Sequence, residues 1–197
     1  MNILLLVSDG FVGLPEALNE AFKTKDCEFY IKYCSWKKRK KKALKKNLLF
    51  SARKFFWLEQ DKRKVHPVHW TKNAFYYAGE IKHVFDGVKF DALISFGWDK
   101  KIPTAIYTRF PIAVNVHPSM LPKYKGWNPV KRAFEDKQNG GVSIHLFTDN
   151  FDEGKVLLQK EVSFKDKNLK QCYYDSAKQC GILIREFCEL TQRGKIK

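Results

Sequence analysis

Residues 1–34, MNILLLVSDGFVGLPEALNEAFKTKDCEFYIKYC, read as strand, helix, strand. Asn2 to Ser8 is a nearly continuous apolar run, which suits a strand buried on both faces of a parallel sheet. Asp9 to Gly13 holds two glycines and makes a turn. Leu14, Leu18 and Phe22 recur every four residues with Ala17 and Ala21 beside them, the spacing of one helix face. Cys27 to Cys34 then forms a second strand. A strand, a helix and a second strand in this order make a βαβ unit, whose crossover is right-handed.

Working outward from that unit, the rhythm is lost at 37–64 and returns after Trp70. Phe75, Ala78, Ile81, Val84 and Phe85 have helical spacing. Ala92 to Phe96 is a strand, Pro103 to Thr108 a short helix, and Ala113 to Val116 a further strand with His117 at its end. A loop follows from Pro118 to Asn128. Pro129 suits a first helical position, and a helix runs to about Asp136. Gly141 to Phe147 and Val156 to Val162 read as strands flanking a loop, and Asn168 to about Arg193 as a long helix. Strands alternating with helices mean an α/β fold with a doubly wound, mostly parallel sheet. The 197 residues are read as a single domain, 1–197.

The formal net charge is +16. Thirteen of the basic residues fall within 37–64, against only Glu59 and Asp61. The charge is therefore a basic insertion after the second strand rather than a property of the whole surface. Lys37 to Lys46 carries eight Lys and Arg in ten positions. Such a run fits a solvated loop. It equally fits capture of phosphates on a nucleotide-linked acceptor or an RNA. Five cysteines, at 27, 34, 172, 180 and 188, contain no CxxC pair. That argues against a disulfide framework or a metal site and for reduced thiols in a cytoplasmic protein. No apolar run approaches the ~20 residues of a membrane span.

Ligands of open parallel sheets bind beyond the carboxyl ends of the strands, and Asn115-Val116-His117 ends one. Two residues apart on a strand, Asn115 and His117 point the same way. An amide N–H and an imidazole aimed at one point can stabilise an oxyanion. Asp152, in the loop between the last two strands, is placed to orient and charge His117. A His before a Pro also fits an ordinary turn residue, and spacing alone does not decide between the two.

The stretch from Asn115 to Val162 (NVHPSMLPKYKGWNPVKRAF…GGVSIHLFTDNFDEGKVLLQKEV) resembles the folate-dependent formyltransferase family. That family includes enzymes acting on glycinamide ribonucleotide, methionyl-tRNA and sugar nucleotides. Asn115, His117, Pro118, Ser119, Leu121, Pro122, Lys125 and Gly126 match the first part of its signature. Asp152 and Gly154 match the second, and His145 a His common on the preceding strand. The likeness is clear over 85–165, weaker over 1–34 and absent over 37–72. It implies a Rossmann-like formyltransferase fold and an enzyme that moves a formyl group from 10-formyltetrahydrofolate to a primary amine. Asn115 donates to the oxyanion, His117 stabilises it as imidazolium, and Asp152 holds His117 and helps move the amine proton. A cis bond at Leu121–Pro122 is also implied.

By the same resemblance, Trp98, Lys100, Ile102, Thr148, Asp149 and Phe151 are the folate-binding candidates. Lys101 stands where the family usually has an aliphatic residue. Asp9, Gly10, Phe11, Ser119 and Lys125 are the acceptor-binding candidates. The loop Ser8 to Pro15 is more similar to the tRNA and sugar enzymes than to the Gly-rich loop of the ribonucleotide enzymes. The tRNA enzymes also carry a C-terminal β-barrel, for which this chain has no matching segment. A nucleotide-linked amino sugar therefore ranks first as acceptor, methionyl-tRNA second and glycinamide ribonucleotide third. Two other readings stand beside these: a basic nucleic-acid-binding protein without turnover on the same scaffold, and hydrolysis of formyltetrahydrofolate at the same site.

Overall fold

The computed structural model describes residues 1–8, 11–34, 68–71, 87–98 and 101–196. The expected basic insertion, the helix expected around 75–85, and the candidates Asp9, Gly10 and Lys100 lie outside the described residues. In chain order the elements are β1 (Asn2–Ser8), α1 (Leu14–Ala21), β2 (Glu28–Cys34), β3 (Val68–Thr71), β4 (Ala92–Phe96), α2 (Thr104–Tyr107), β5 (Ile112–His117), α3 (Pro129–Glu135), β6 (Gly140–Leu146), β7 (Val156–Val162) and α4 (Leu169–Gln192). The strands form one sheet of seven in the order β3-β2-β1-β4-β5-β6-β7. β1 pairs in parallel with both β2 and β4, and β4 with β5. β6 and β7 run antiparallel to their neighbours. The α/β, mostly parallel architecture is as the strand-helix alternation predicts.

β1 is apolar at nearly every position because both of its faces are covered. Ile3, Leu5 and Val7 enter one core with Ala17, Leu18, Leu183, Ile184 and Phe187. Leu4 and Leu6 enter a second cluster with Tyr30, Leu93, Ile102 and Ala113. This is the two-residue period of a strand with apolar partners on each side.

α4 begins with a reciprocal cap. The Gln171 amide donates to the Asn168 side chain at 3.0 Å, and the Asn168 amide donates to the Gln171 side chain at 2.8 Å. The helix then lies directly on α1. A Cβ at Gly181 would stand 2.0 Å from the Ala17 carbonyl oxygen, so only glycine allows this approach. Cys27, Cys172, Cys180 and Cys188 are buried free thiols. Burial pushes the Cys180 thiol well above its ordinary value, as expected of a small packing residue rather than a reactive one. Among the described residues, no helix is long and apolar enough to cross a membrane.

Candidate active site

β5 carries Asn115 and His117 to the carboxyl end of the sheet, on the same side of the strand. Val114 and Val116 alternate with them into the main core. Beside β5 runs β6, with His145 directly opposite Asn115 in the register. The strand shifts register between Ile144 and His145. The β6–β7 loop then folds back over the strand end. Gly154 makes this possible, since a Cβ there would meet the Leu146 carbonyl oxygen at 1.7 Å. Asp152, two residues earlier, has a left-handed backbone with φ 56°. Aspartate tolerates that region better than most side chains. The turn delivers its carboxylate to the end of β5, where it is buried with His117 and His145.

The carboxylate is held from several sides. The Gly126 amide donates to Oδ2 at 2.8 Å, and Asn115 Nδ2 donates to Oδ1 at 3.4 Å. His117 Nδ1 faces Oδ2 at 3.5 Å, and His145 Nε2 faces Oδ1 at 3.4 Å. Asn115 Nδ2 also lies 3.2 Å from His145 Nε2. Two backbone carbonyls fix the ring protons. The Tyr124 carbonyl lies 3.0 Å from His117 Nε2, and the Leu146 carbonyl lies 3.0 Å from His145 Nδ1. A carbonyl only accepts, so His117 Nε2 and His145 Nδ1 both carry hydrogen.

Burial is the largest influence on both acid-base partners. It pushes His117 below its ordinary value, against the opposing pull of the Asp152 carboxylate and the Tyr124 carbonyl. It pushes Asp152 upward, but the His145 hydrogen bond, the His117 charge and the Gly126 amide together bring that carboxyl below its ordinary value. The pair thus favours a carboxylate at Asp152, while burial resists a charge on the His117 ring. The imidazolium expected from the sequence is thus disfavoured before substrate binds, because the ring sits 6% exposed and pays for losing water. Its Nδ1 faces the Asp152 carboxylate.

The structure joins the loops expected to meet the folate. Trp98 and Phe147 both pack against the cluster holding buried Ile102. The Tyr107 and Phe147 rings stack at 5.3 Å. Thr104 Oγ1 donates to Asp149 at 2.6 Å, and Thr148 Oγ1 donates to the Asn150 carbonyl at 2.8 Å. Phe151 stands 66% exposed beside Asp152.

Two of the acceptor-side candidates are engaged by the protein itself. Ser119 is buried, its hydroxyl donates to the Lys123 carbonyl at 2.8 Å, and its carbonyl accepts from Ser143 at 2.6 Å. It braces the loop and presents no free hydroxyl. Phe11 is a packing residue, with its ring 4.2 Å from that of Phe96 and against Gly97. Lys125 remains at the rim, bridged to Glu153 at 3.1 Å. The Leu121–Pro122 bond is cis.

His145, the Tyr124 carbonyl and the Gly126 amide belong to this cluster and were not among the candidates. His145 was visible in the motif but carries no reactive spacing of its own. The other two are backbone groups, aimed by left-handed turns at Tyr124 (φ 57°) and Gly126 (φ 82°). A separate concavity of about 510 Å³ is lined by Phe134, Glu135, Lys137, Gln138, Asn139, Phe164 and Lys165 and contains none of these groups. Among the described residues, no cluster of three His, Cys, Asp or Glu side chains could hold a metal ion.

The mitochondrial methionyl-tRNA formyltransferase of Saccharomyces cerevisiae is 42% identical over 77 residues, 38% of this chain and 19% of that protein. The methionyl-tRNA formyltransferase of Coprothermobacter proteolyticus is 37% identical over 75 residues, 37% of this chain and 25% of that protein. The matched stretches thus span about a quarter or less of those relatives. Among solved structures, phosphoribosylglycinamide formyltransferase from Anaplasma phagocytophilum superposes with a TM-score of 0.67 at 20% identity. That match covers 100% of this chain and 88% of the other. A formyltransferase from Anoxybacillus kamchatkensis, solved with a formamido sugar nucleotide and tetrahydrofolate, has a TM-score of 0.58 at 22% identity and covers 100% of this chain and 79% of the other. At such identities the likeness is one of fold. The formyl transferase family model matches residues 1–182, from β1 into α4, and the chain belongs to that family.

Proposed function

We propose that this chain is an N-formyltransferase that moves a formyl group from 10-formyltetrahydrofolate to a primary amine. The observation that carries the reading is the cluster of half-buried Asn115 with buried His117 and Asp152 at the end of β5, within the stretch matched by the family model. The amine nitrogen attacks the formyl carbon, and the carbonyl electrons move onto oxygen. Asn115 Nδ2–H donates to that oxyanion. The amine proton passes to the His117–Asp152 pair and settles at Nδ1, so the imidazolium forms as the negative charge does. Collapse of the intermediate breaks the carbon bond to the folate nitrogen, and the same proton goes to that nitrogen. Trp98, Ile102, Thr148, Asp149 and Phe151 line the folate side. Lys125 stands on the acceptor side.

The acceptor is a phosphorylated amine, and a nucleotide-linked amino sugar is the first choice. The basic run at 37–46 suits its phosphates, and one structural neighbour was solved with such a sugar nucleotide. Methionyl-tRNA is the second reading, favoured by the curated relatives matched over the motif region. The test is incubation with 10-formyltetrahydrofolate and, separately, a nucleotide-linked amino sugar, methionyl-tRNA, glycinamide ribonucleotide or no amine. Tetrahydrofolate release that requires the amino sugar supports the reading. Release with tRNA alone moves the acceptor. Equal release without any amine makes the chain a hydrolase, and none at all leaves a binding protein.

A further inference from the structure

The loop that completes the cluster is gripped from outside by Arg132. Residues 124–128 contain three left-handed positions, Tyr124, Gly126 and Asn128. A backbone of that shape has no regular hydrogen-bond ladder to hold it. Yet its Tyr124 carbonyl sets the His117 ring, and its Gly126 amide holds Asp152. Arg132, one turn into α3, reaches back over this loop. Its Nη1 donates to the Lys125 carbonyl at 2.7 Å and to the Trp127 carbonyl at 3.3 Å. Its guanidinium carbon lies 5.5 Å from the centre of the Tyr124 ring. One planar cation thus grips the carbonyls on either side of Gly126 and the aromatic face before it.

We propose that Arg132 is a positioning residue: its guanidinium fixes residues 124–127 so that the Tyr124 carbonyl and the Gly126 amide meet His117 and Asp152. The inference rests on the formyl-transfer reading only for its kinetic consequences. A planar fork that stacks and donates at once is a property of arginine that lysine lacks. Arg132→Lys therefore keeps the positive charge and removes the grip. His117 is faced by Asp152 from the β6–β7 loop, by His145 from β6 and by Arg132 from α3. With the Arg132 charge conserved, loosening the Tyr124 carbonyl takes away a bond that favours the protonated ring.

The experiment has two arms on Arg132→Lys, after thermal melting shows that the variant is folded. The first follows the His117 imidazole by NMR titration of the protein without substrate. Its midpoint is expected to move to lower pH, and this arm reads out whatever the chain catalyses. The second measures turnover. A kcat lower by about 10- to 100-fold, with acceptor KM within twofold, is expected, since small misplacement of reacting groups costs that much. Tyr124→Ala, which removes the stacking face, repeats both effects at smaller size and serves if the lysine variant does not fold. An unmoved His117 titration overturns the proposal. So does a change in acceptor KM alone, which makes Arg132 a phosphate contact instead. A shifted titration in a protein that transfers no formyl group keeps Arg132 in its place and overturns the function.

Discussion

Where α4 crosses α1, Gly181 lets two backbones touch; at the end of β5, Gly154 lets a loop close on Leu146. Both glycines leave space a methyl group cannot enter, but what they bring together differs. The core that this crossing closes holds Ala17, Leu183, Ile184, Phe187 and Cys188, all apolar and almost without exposure. That wall is stabilised by removing hydrocarbon from water and by close contact, and it needs no directional partners. Around Gly154 lie two imidazoles, a carboxylate and a carboxamide, each costly to bury. They are held by a chain of donors that ends on the backbone at Tyr124, Gly126 and Leu146. The first region can lose atoms and only weaken; the second can keep its stability and lose its chemistry.

The largest effects should separate the two regions. Phe187→Ala empties part of the wall and is expected to cost about 3–5 kcal/mol of stability. The fraction that remains folded should turn over at the normal rate. Chemical unfolding followed by kinetics scaled to folded protein checks both parts; a kcat that falls with the stability would join the regions the comparison keeps apart. Asn115→Ala should do the reverse. Turnover is expected to drop by about 10²–10³, the usual loss for one oxyanion donor. Tetrahydrofolate affinity should hardly change, because the charge it answers exists only on the way to product. His117→Ala should lower turnover at least as much. Near-normal turnover in either variant places the chemistry elsewhere.

The two glycines offer a closer test. Gly181→Ala and Gly154→Ala each force a methyl group against a carbonyl oxygen, and each is expected to cost about 1–3 kcal/mol, as overpacking usually does. Only Gly154→Ala should also lower kcat in the folded fraction, because the strain moves the loop that carries Asp152. Equal kcat in both variants would mean that the loop tolerates displacement without consequence.

β1 and β4 were legible because their apolar runs are undiluted, whereas β3, with His69 inside it, was not among the expected strands. β4 and β7 lie within the bounds the pattern marks, and the α4 cap begins at the Asn168 that opens its periodic stretch. Asn115 and His117 could be paired from sequence because a two-residue spacing on a strand has one geometric meaning. The approach of Asp152 to His117 was expected, but its contacts with Gly126, Asn115 and His145 were not. They depend on a left-handed turn and a glycine packed under Leu146, which only the folded loop reveals. The bonding of Ser119 was hidden for a related reason. Its motif position suggests a ligand, but the turn after His117 points the hydroxyl inward. The protonation of His117 was also hidden, since a carboxylate neighbour and deep burial pull its pKa in opposite directions.

The smallest expected effect is one of pH, and it belongs to the polar region alone. His117 has its pKa lowered by burial, so at pH values below the ordinary histidine pKa of about 6.5 the unfolded chain binds a proton that the folded chain resists. Stability rises with pH wherever the unfolded state holds more protons, so it must fall on acidification through that window. Asp152 acts in the same direction at lower pH. Its folded pKa is depressed, so its contribution is present above about 3.9 and is lost as pH falls through the folded value. Between about pH 7.5 and 5.5 only the first effect operates. The urea midpoint of the parent protein is therefore expected to drop over this interval by more than that of His117→Ala, while Phe187→Ala should keep the parent's full drop. Parallel pH profiles for the parent and His117→Ala would show that the ring charges freely when folded.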